Sequence, residues 1–121
     1  MPHLLPTQIQ TSHLRLRAPQ PIDAHAVFQS YTQDLDVCRF MVWTPHTSET
    51  ATEAYIDSCI RAWAAGNPMP YIIEELSTHR AIGMIEARIG ATSVDIGYVL
   101  AKQYWGKNLM PEAISALTTE K

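Results

Sequence analysis

The sequence predicts an α+β domain, and three observations predict it. Apolar runs at 70–75, 81–89 and 94–100 are separated by short turns, which is the pattern of an antiparallel meander. Two helical patterns precede the meander and follow a first strand at 9–17. A third helical pattern follows it, with Pro111 near its start. At 121 residues the chain is expected to form one domain around a single core.

The elements follow from local patterning. Residues 9–17 alternate from His13 on, Leu14 and Leu16 against Arg15 and Arg17, which predicts one half-buried strand. Pro19 and Pro21 end it. Asp23 lies in the first turn of a helix whose apolar face is Ala24, Val27, Phe28 and Tyr31. From 34 to 47 the pattern is irregular: a short helical turn around 37–41, then a loop with Trp43, Pro45 and His46. Thr47 or Ser48 is expected to cap the next helix, with Glu49 in its first turn. That helix buries Tyr55, Ile56, Cys59, Ile60 and Trp63 and stops at Gly66, with Pro68 just beyond. A turn at 77–80 separates the first two meander strands, the second of which contains Gly83. A turn at 90–93 leads to the last strand, with Ile96, Tyr98 and Leu100 on one face and Gly97 and Val99 on the other. Pro111 suits a helical first turn, and Glu112 stands at the positive end of the helix dipole. Ala113, Ile114 and Leu117 recur at helical spacing. The first two helices should cover one face of the sheet and this third helix the other. No repeat, linker or low-complexity segment interrupts the chain.

Bulk properties narrow the function classes. The hydrophobic share is 46%, the charged share 17% and the formal net charge −3, without a basic run. These are the proportions of a soluble globular protein, and they argue against a partner held by phosphate neutralisation, so no nucleic acid is expected. No apolar run approaches the roughly 20 residues of a membrane span, and the opening Met-Pro-His-Leu-Leu-Pro lacks the pattern of a signal peptide. Cys38 and Cys59 are too isolated for a disulfide framework or a C-x-x-C site, and a reducing cytoplasm is the simplest setting. His3, His13, His25, His46 and His79 are scattered without paired spacing, so no metal site is expected. No G-x-S-x-G nucleophile motif occurs.

The most informative stretch is 94–114, a strand, a short loop with one glycine and the start of a helix. Backbone N–H groups at such a junction point outward without partners, ready for an anion such as pyrophosphate. Gly106 lets the backbone approach such a ligand closely, and Lys107 adds positive charge. On spacing alone, an ordinary strand-to-helix turn remains the competing reading. Tyr104 and Trp105 have two readings as well: base stacking on a single strand, or packing at the loop base, which the absence of a basic groove favours.

The full wording, I-G-Y-V-L at 96–100 and Q-Y-W-G-K-N-L-M-P-E-A at 103–113, resembles the acetyl-coenzyme A motif of the GNAT acetyltransferase superfamily. It looks most like the ribosomal-protein N-acetyltransferase (RimJ/RimL-type) branch. The superfamily pattern Q/R-x-x-G-x-G/A is matched by Gln103, Gly106 and Asn108, and Asn108 departs from it by replacing the second small residue. Asn tolerates left-handed backbone angles better than most residues, so the turn is expected to survive. The side chain is expected to crowd the pyrophosphate. The resemblance extends to the opening T-x-x-L-x-L-R and the helix after it.

The resemblance implies the N-terminal part of a GNAT-like mixed sheet, strand-helix-helix-meander-helix, lacking the C-terminal strands. It implies acetyl-CoA as co-substrate, held by Val99, Leu100, Gln103, Trp105, Gly106, Lys107, Asn108, Leu109 and Met110. It places Trp43 and His46 at the acceptor side of the cleft; a core plug and a surface loop residue are the alternatives. The implied reaction is direct attack of a neutral amine, on a protein N-terminus or a small molecule, at the thioester. It needs a base, an N–H near Val99 or Leu100 for the oxyanion, and an acid for the leaving thiolate. Glu86 and Asp95 are the carboxylates in the two strands near the cleft, and Glu86 is the candidate base; an ion-paired or solvated residue is its alternative. Relatives usually carry the acid, often a tyrosine, in strands and a helix beyond this point. The chain therefore reads as C-terminally truncated, with an uncovered edge at 94–100 that favours a homodimer or aggregation. A non-catalytic scaffold with weak CoA binding or a dimerisation role is the alternative function.

Overall fold

The computed structural model describes residues 8–32, 48–66, 69–89 and 94–119. Five strands, β1 (Gln8–Gln10), β2 (Leu14–Arg17), β3 (Met69–Glu75), β4 (Arg80–Ile89) and β5 (Val94–Leu100), form one sheet in the order β1-β2-β3-β4-β5. Every neighbouring pair is antiparallel. The helices are α1 (Asp23–Val27), continued by a π-helical turn at Phe28–Thr32, then α2 (Glu49–Ala65) and α3 (Leu109–Thr119). The expected meander and the helices on either side of it are present.

The single strand expected at 9–17 is instead a hairpin. Thr11 explains the break, because its N–H donates to Leu14 O at 2.8 Å and its hydroxyl accepts from Leu14 N–H at 3.0 Å. A threonine that bonds the backbone three residues on closes a turn in competition with the extended ladder. The alternation of Leu14 and Leu16 was real but belongs to β2 alone, where both are fully buried.

Register fixes the two faces. Directly paired residues share a face, so Arg17, Ile72, Met84 and Val99 form one row and Leu16, Ile73, Gly83 and Leu100 the next row on the opposite face. The first face carries α1 and α2. Asp23 of α1 accepts both Arg17 guanidinium nitrogens, at 2.9 and 2.7 Å, and Tyr55 of α2 borders a hollow with Met84 and Val99. The other face carries α3, which packs on β1 and β2 and buries Ala113 and Leu117. Burying apolar area on both faces of the sheet supplies most of the stabilisation, at roughly 25 cal/mol per Å² removed from water.

Helix α2 ends where expected. Gly66 takes a left-handed φ of 89°, and its N–H reaches Ala62 O at 3.0 Å and Trp63 O at 3.1 Å. Trp63 packs edge-on against Tyr71, centroids 5.1 Å apart, and its indole N–H donates to Pro70 O. Ile56, Cys59 and Trp63 are buried as expected, while Tyr55 and Ile60 are only partly so. Ser48 occupies the cap position of α2 without a capping side-chain bond. Thr47, Pro68, the short turn at 37–41 and the turn at 90–93 lie outside the described residues.

Candidate functional site

The junction of β5 with α3 shapes a cavity of about 490 Å³. Tyr98, Val99 and Leu100 supply one wall, Trp105, Gly106 and Asn108 the loop, and Leu109 with Met110 the helix start. Three features of the loop hold it open. A 3-10 turn at Lys102–Tyr104 buries Tyr104, whose hydroxyl donates to Glu75 Oε1 at 3.2 Å. The Trp105 indole N–H donates to Leu100 O at 2.8 Å, tying the loop back to β5. Gly106 and Asn108 both take left-handed angles, φ 77° and 60°. Asn108 therefore adopts the conformation usually left to glycine, as expected, and the turn survives the departure. A Cβ placed on Gly106 would meet nothing within 4 Å, so its glycine serves the backbone angle and leaves that space open to a ligand.

The first turn of α3 leaves backbone donors without intrahelical partners at Asn108, Leu109 and Met110, while Pro111 has none to offer. The positive end of the helix dipole therefore faces the cavity. Below it, the ladder sorts the β5 donors. Ala101 N–H donates to Ile82 O at 2.8 Å. Antiparallel alternation then turns Val99 N–H toward β4 and Leu100 N–H away from it. Leu100, rather than Val99, directs its donor outward.

A second hollow, about 310 Å³, lies on the other face and is bordered by Tyr55, Pro70, Met84, Glu86, Gly97 and Val99 among others. Glu86 accepts from Arg88 Nε at 2.8 Å. Burial pushes the Tyr55 hydroxyl above its ordinary pKa, with Cys59 and Glu86 adding to it. Burial likewise pushes the Cys59 thiol up to about 11, so it is protonated and unreactive at neutral pH. The two hollows share Tyr98 and Val99 and so meet across β5.

The structure thus gathers Val99, Leu100, Trp105, Gly106, Asn108, Leu109 and Met110 around one cavity. Gln103 is exposed on the 3-10 turn and is not part of the wall. Lys107 also lies off the wall, its ammonium 5.5 Å from the Tyr104 ring centroid. Glu86 stands in the second hollow, and Trp43 and His46 lie outside the described residues. Residue-by-residue reading missed Tyr98, which is 49% exposed over the cavity, and Tyr55. The signal for Tyr98 was present: a large aromatic beside Gly97 on an edge strand. Among the described residues no group of three or more His, Cys, Asp or Glu side chains is placed to hold a metal, and no helix is long and apolar enough to cross a membrane.

The fold is of the α+β class, with a strand-loop-helix junction after β5 and two hollows that meet at that strand. The chain belongs to the acetyltransferase (GNAT) domain family, whose model matches residues 13–120. Solved structures agree on the fold. An acetyltransferase of the GNAT family from Bacillus anthracis superposes with a TM-score of 0.78 at 21% identity, covering 93% of this chain and 64% of that one. The RimL ribosomal L7/L12 α-N-protein acetyltransferase superposes with a TM-score of 0.78 at 22% identity, covering 97% and 65%. The same protein in complex with coenzyme A gives 0.72 at 23% identity, covering 93% and 66%. The chain thus spans just under two thirds of the length of these proteins. No curated protein sequence matches it.

Proposed function

We propose that this domain transfers the acetyl group of acetyl-CoA to an amine, a protein N-terminus or a small amine, by direct attack on the thioester. The observation that carries the reading is the meeting of two hollows across β5 at Tyr98 and Val99. One has the chemistry for a coenzyme and the other for an acceptor, with a single strand between them. The apolar walls of the larger cavity suit pantetheine, and the free donors at Asn108, Leu109 and Met110 suit the diphosphate. Trp105 and Gly106 border the same path. Gln103 and Lys107 belong to the assignment as rim residues, with Lys107 contributing charge rather than a wall.

Acetyl-CoA supplies the acyl group when bound; the chain's own residues do the rest. Glu86 takes the proton that the amine loses as the new C–N bond forms and the C–S bond breaks, and coenzyme A leaves as the thiolate, which takes its proton from solvent. Leu100 N–H, directed away from the ladder, faces the oxygen that gains negative charge. The protonated Cys59 thiol argues against an acetyl-cysteine route through that residue. Trp43 and His46 remain proposed acceptor contacts. The RimL likeness supports a protein N-terminus as one acceptor class, and the same reading includes a cytoplasmic homodimer.

A non-catalytic scaffold is the second reading, favoured by one observation: the Glu86 carboxylate is already engaged by Arg88. Glu86→Gln separates the two. Direct transfer expects a loss of kcat of about 10²- to 10⁴-fold with acetyl-CoA affinity unchanged. Turnover that is absent from the unaltered chain despite saturable acetyl-CoA binding would leave the scaffold reading standing.

A further inference from the structure

The Glu112 carboxylate stands in an electrostatically awkward place. It lies in the first turn of α3, within a turn of the donors at Asn108, Leu109 and Met110. A free carboxylate there would repel an anion bound at the same helix end. The side chain turns instead to the β1–β2 hairpin. Its Oε2 accepts from the Thr11 hydroxyl and from His13 N–H at 3.0 Å, and its Oε1 lies 2.9 Å from His13 Nδ1. The carboxylate is 22% exposed. Burial alone would push its pKa up, but the bonds from Thr11 and His13 outweigh that and hold it below the ordinary value. Thr11 is itself locked by its bonds to Leu14. The rest of α3 sits on the sheet through apolar side chains such as Ala113 and Leu117, contacts without direction that set depth better than rotation.

We infer that Glu112, held by Thr11 and His13, is a positioning residue that orients the anion-binding end of α3 and keeps its own charge off the diphosphate. The hairpin turn, some hundred residues away in sequence, is thereby part of the coenzyme site. The inference rests on reading the larger cavity as that site. It requires that loosening the clasp harm the diphosphate end selectively.

The test compares two ligands on the whole chain: acetyl-CoA, and S-acetyl-pantetheine, which has the thioester but no diphosphate. Affinities come from titration calorimetry and ligand-observed NMR. Glu112→Ala is expected to weaken acetyl-CoA about tenfold and leave S-acetyl-pantetheine within about twofold. Glu112→Gln keeps an oxygen acceptor for Thr11 and His13 and is expected to recover most of the loss. Thr11→Val, which leaves α3 untouched, should weaken acetyl-CoA about threefold. If Glu112→Ala fails to fold, the other two variants decide the matter with the same ligands. Equal losses for both ligands, or none, overturn the inference while leaving the coenzyme site intact. An unaltered chain that binds neither ligand overturns the coenzyme reading and this inference with it.

Discussion

Asn108 shows how one side chain can satisfy a backbone demand and also border a cavity. Its φ of 60° is the angle the loop needs, and Asn reaches it at lower cost than most residues because its short polar side chain can bond locally. The same side chain borders the cavity that the reading assigns to the coenzyme. Asn108→Gly keeps the angle and removes the side chain from the cavity wall. It should leave the urea midpoint almost unchanged, within about 0.5 kcal/mol, because glycine also enters left-handed conformations freely. Acetyl-CoA binding by calorimetry should tighten severalfold. Asn108→Val places a branched side chain in a left-handed position and is expected to cost roughly 1–2 kcal/mol and weaken binding. A valine variant as stable and as competent as the parent would show that the left-handed turn is not required.

At the scale of elements, the pairing of β4 with β5 is the support on which both hollows rest, and Gly83 makes it possible. A Cβ on Gly83 would stand 2.3 Å from Val99 O and 3.1 Å from Leu100 Cα, both backbone atoms that cannot swing aside. Gly83→Ala must therefore push β5 away from β4, at a cost of roughly 1–3 kcal/mol for overpacking. Because Leu100 also lines the cavity, acetyl-CoA affinity should fall with stability. Urea unfolding and calorimetry on the one variant check both, and unchanged stability would mean that the strands are not in the contact described. Much of this element was legible beforehand. The bounds of β5 follow from its β-branched and aromatic residues between turn signals, and the loop from Gly106 and the motif around it. The hairpin at Thr11 was not legible, since a side chain that closes a turn leaves the apolar alternation undisturbed. Gly83 was visible as a residue but not as a contact, because its reason lies on a strand sixteen positions later. The opening of the second hollow to Tyr55 was hidden for the same cause: it depends on how α2 lies against β3, which no local pattern encodes.

Across the whole molecule, two carboxylates anchor the polar contacts of the sheet, Glu112 from α3 and Glu74 from β3, and both are held below their ordinary pKa. Glu112 fastens α3 to the hairpin. Glu74 sits in β3 with its side chain 8% exposed, accepts from Arg17 Nε at 2.8 Å, and lies 3.2 Å from His79 Nδ1 and 3.6 Å from Arg15. Arg17 extends that network to α1 through Asp23, whose hydrogen bond, with lesser help from Glu74, raises the guanidinium pKa despite burial. Burial opposes ionisation of Glu74, but the hydrogen bonds from Arg17 and His79 and the charges of Arg17 and Arg15 prevail and lower its pKa. A carboxylate whose pKa is lower folded than unfolded stabilises the fold above the unfolded value and loses that contribution as pH falls through the folded one. Arg17, shifted the opposite way, stays charged throughout that range. Stability should therefore be level near neutral pH and decline below about pH 4.5, where unfolded carboxylates begin to bind protons. Glu74→Gln leaves two arginines near the core without their shared anion and is expected to cost on the order of 3 kcal/mol at neutral pH. Its loss on acidification should be smaller than that of the parent, because one of the titrating groups is gone. Urea denaturation at a series of pH values compares the two slopes directly. Curves that run parallel from neutral pH to about pH 3 would show that Glu74 does not carry the acid sensitivity, and that the network through Arg17 holds α1 by packing rather than by charge.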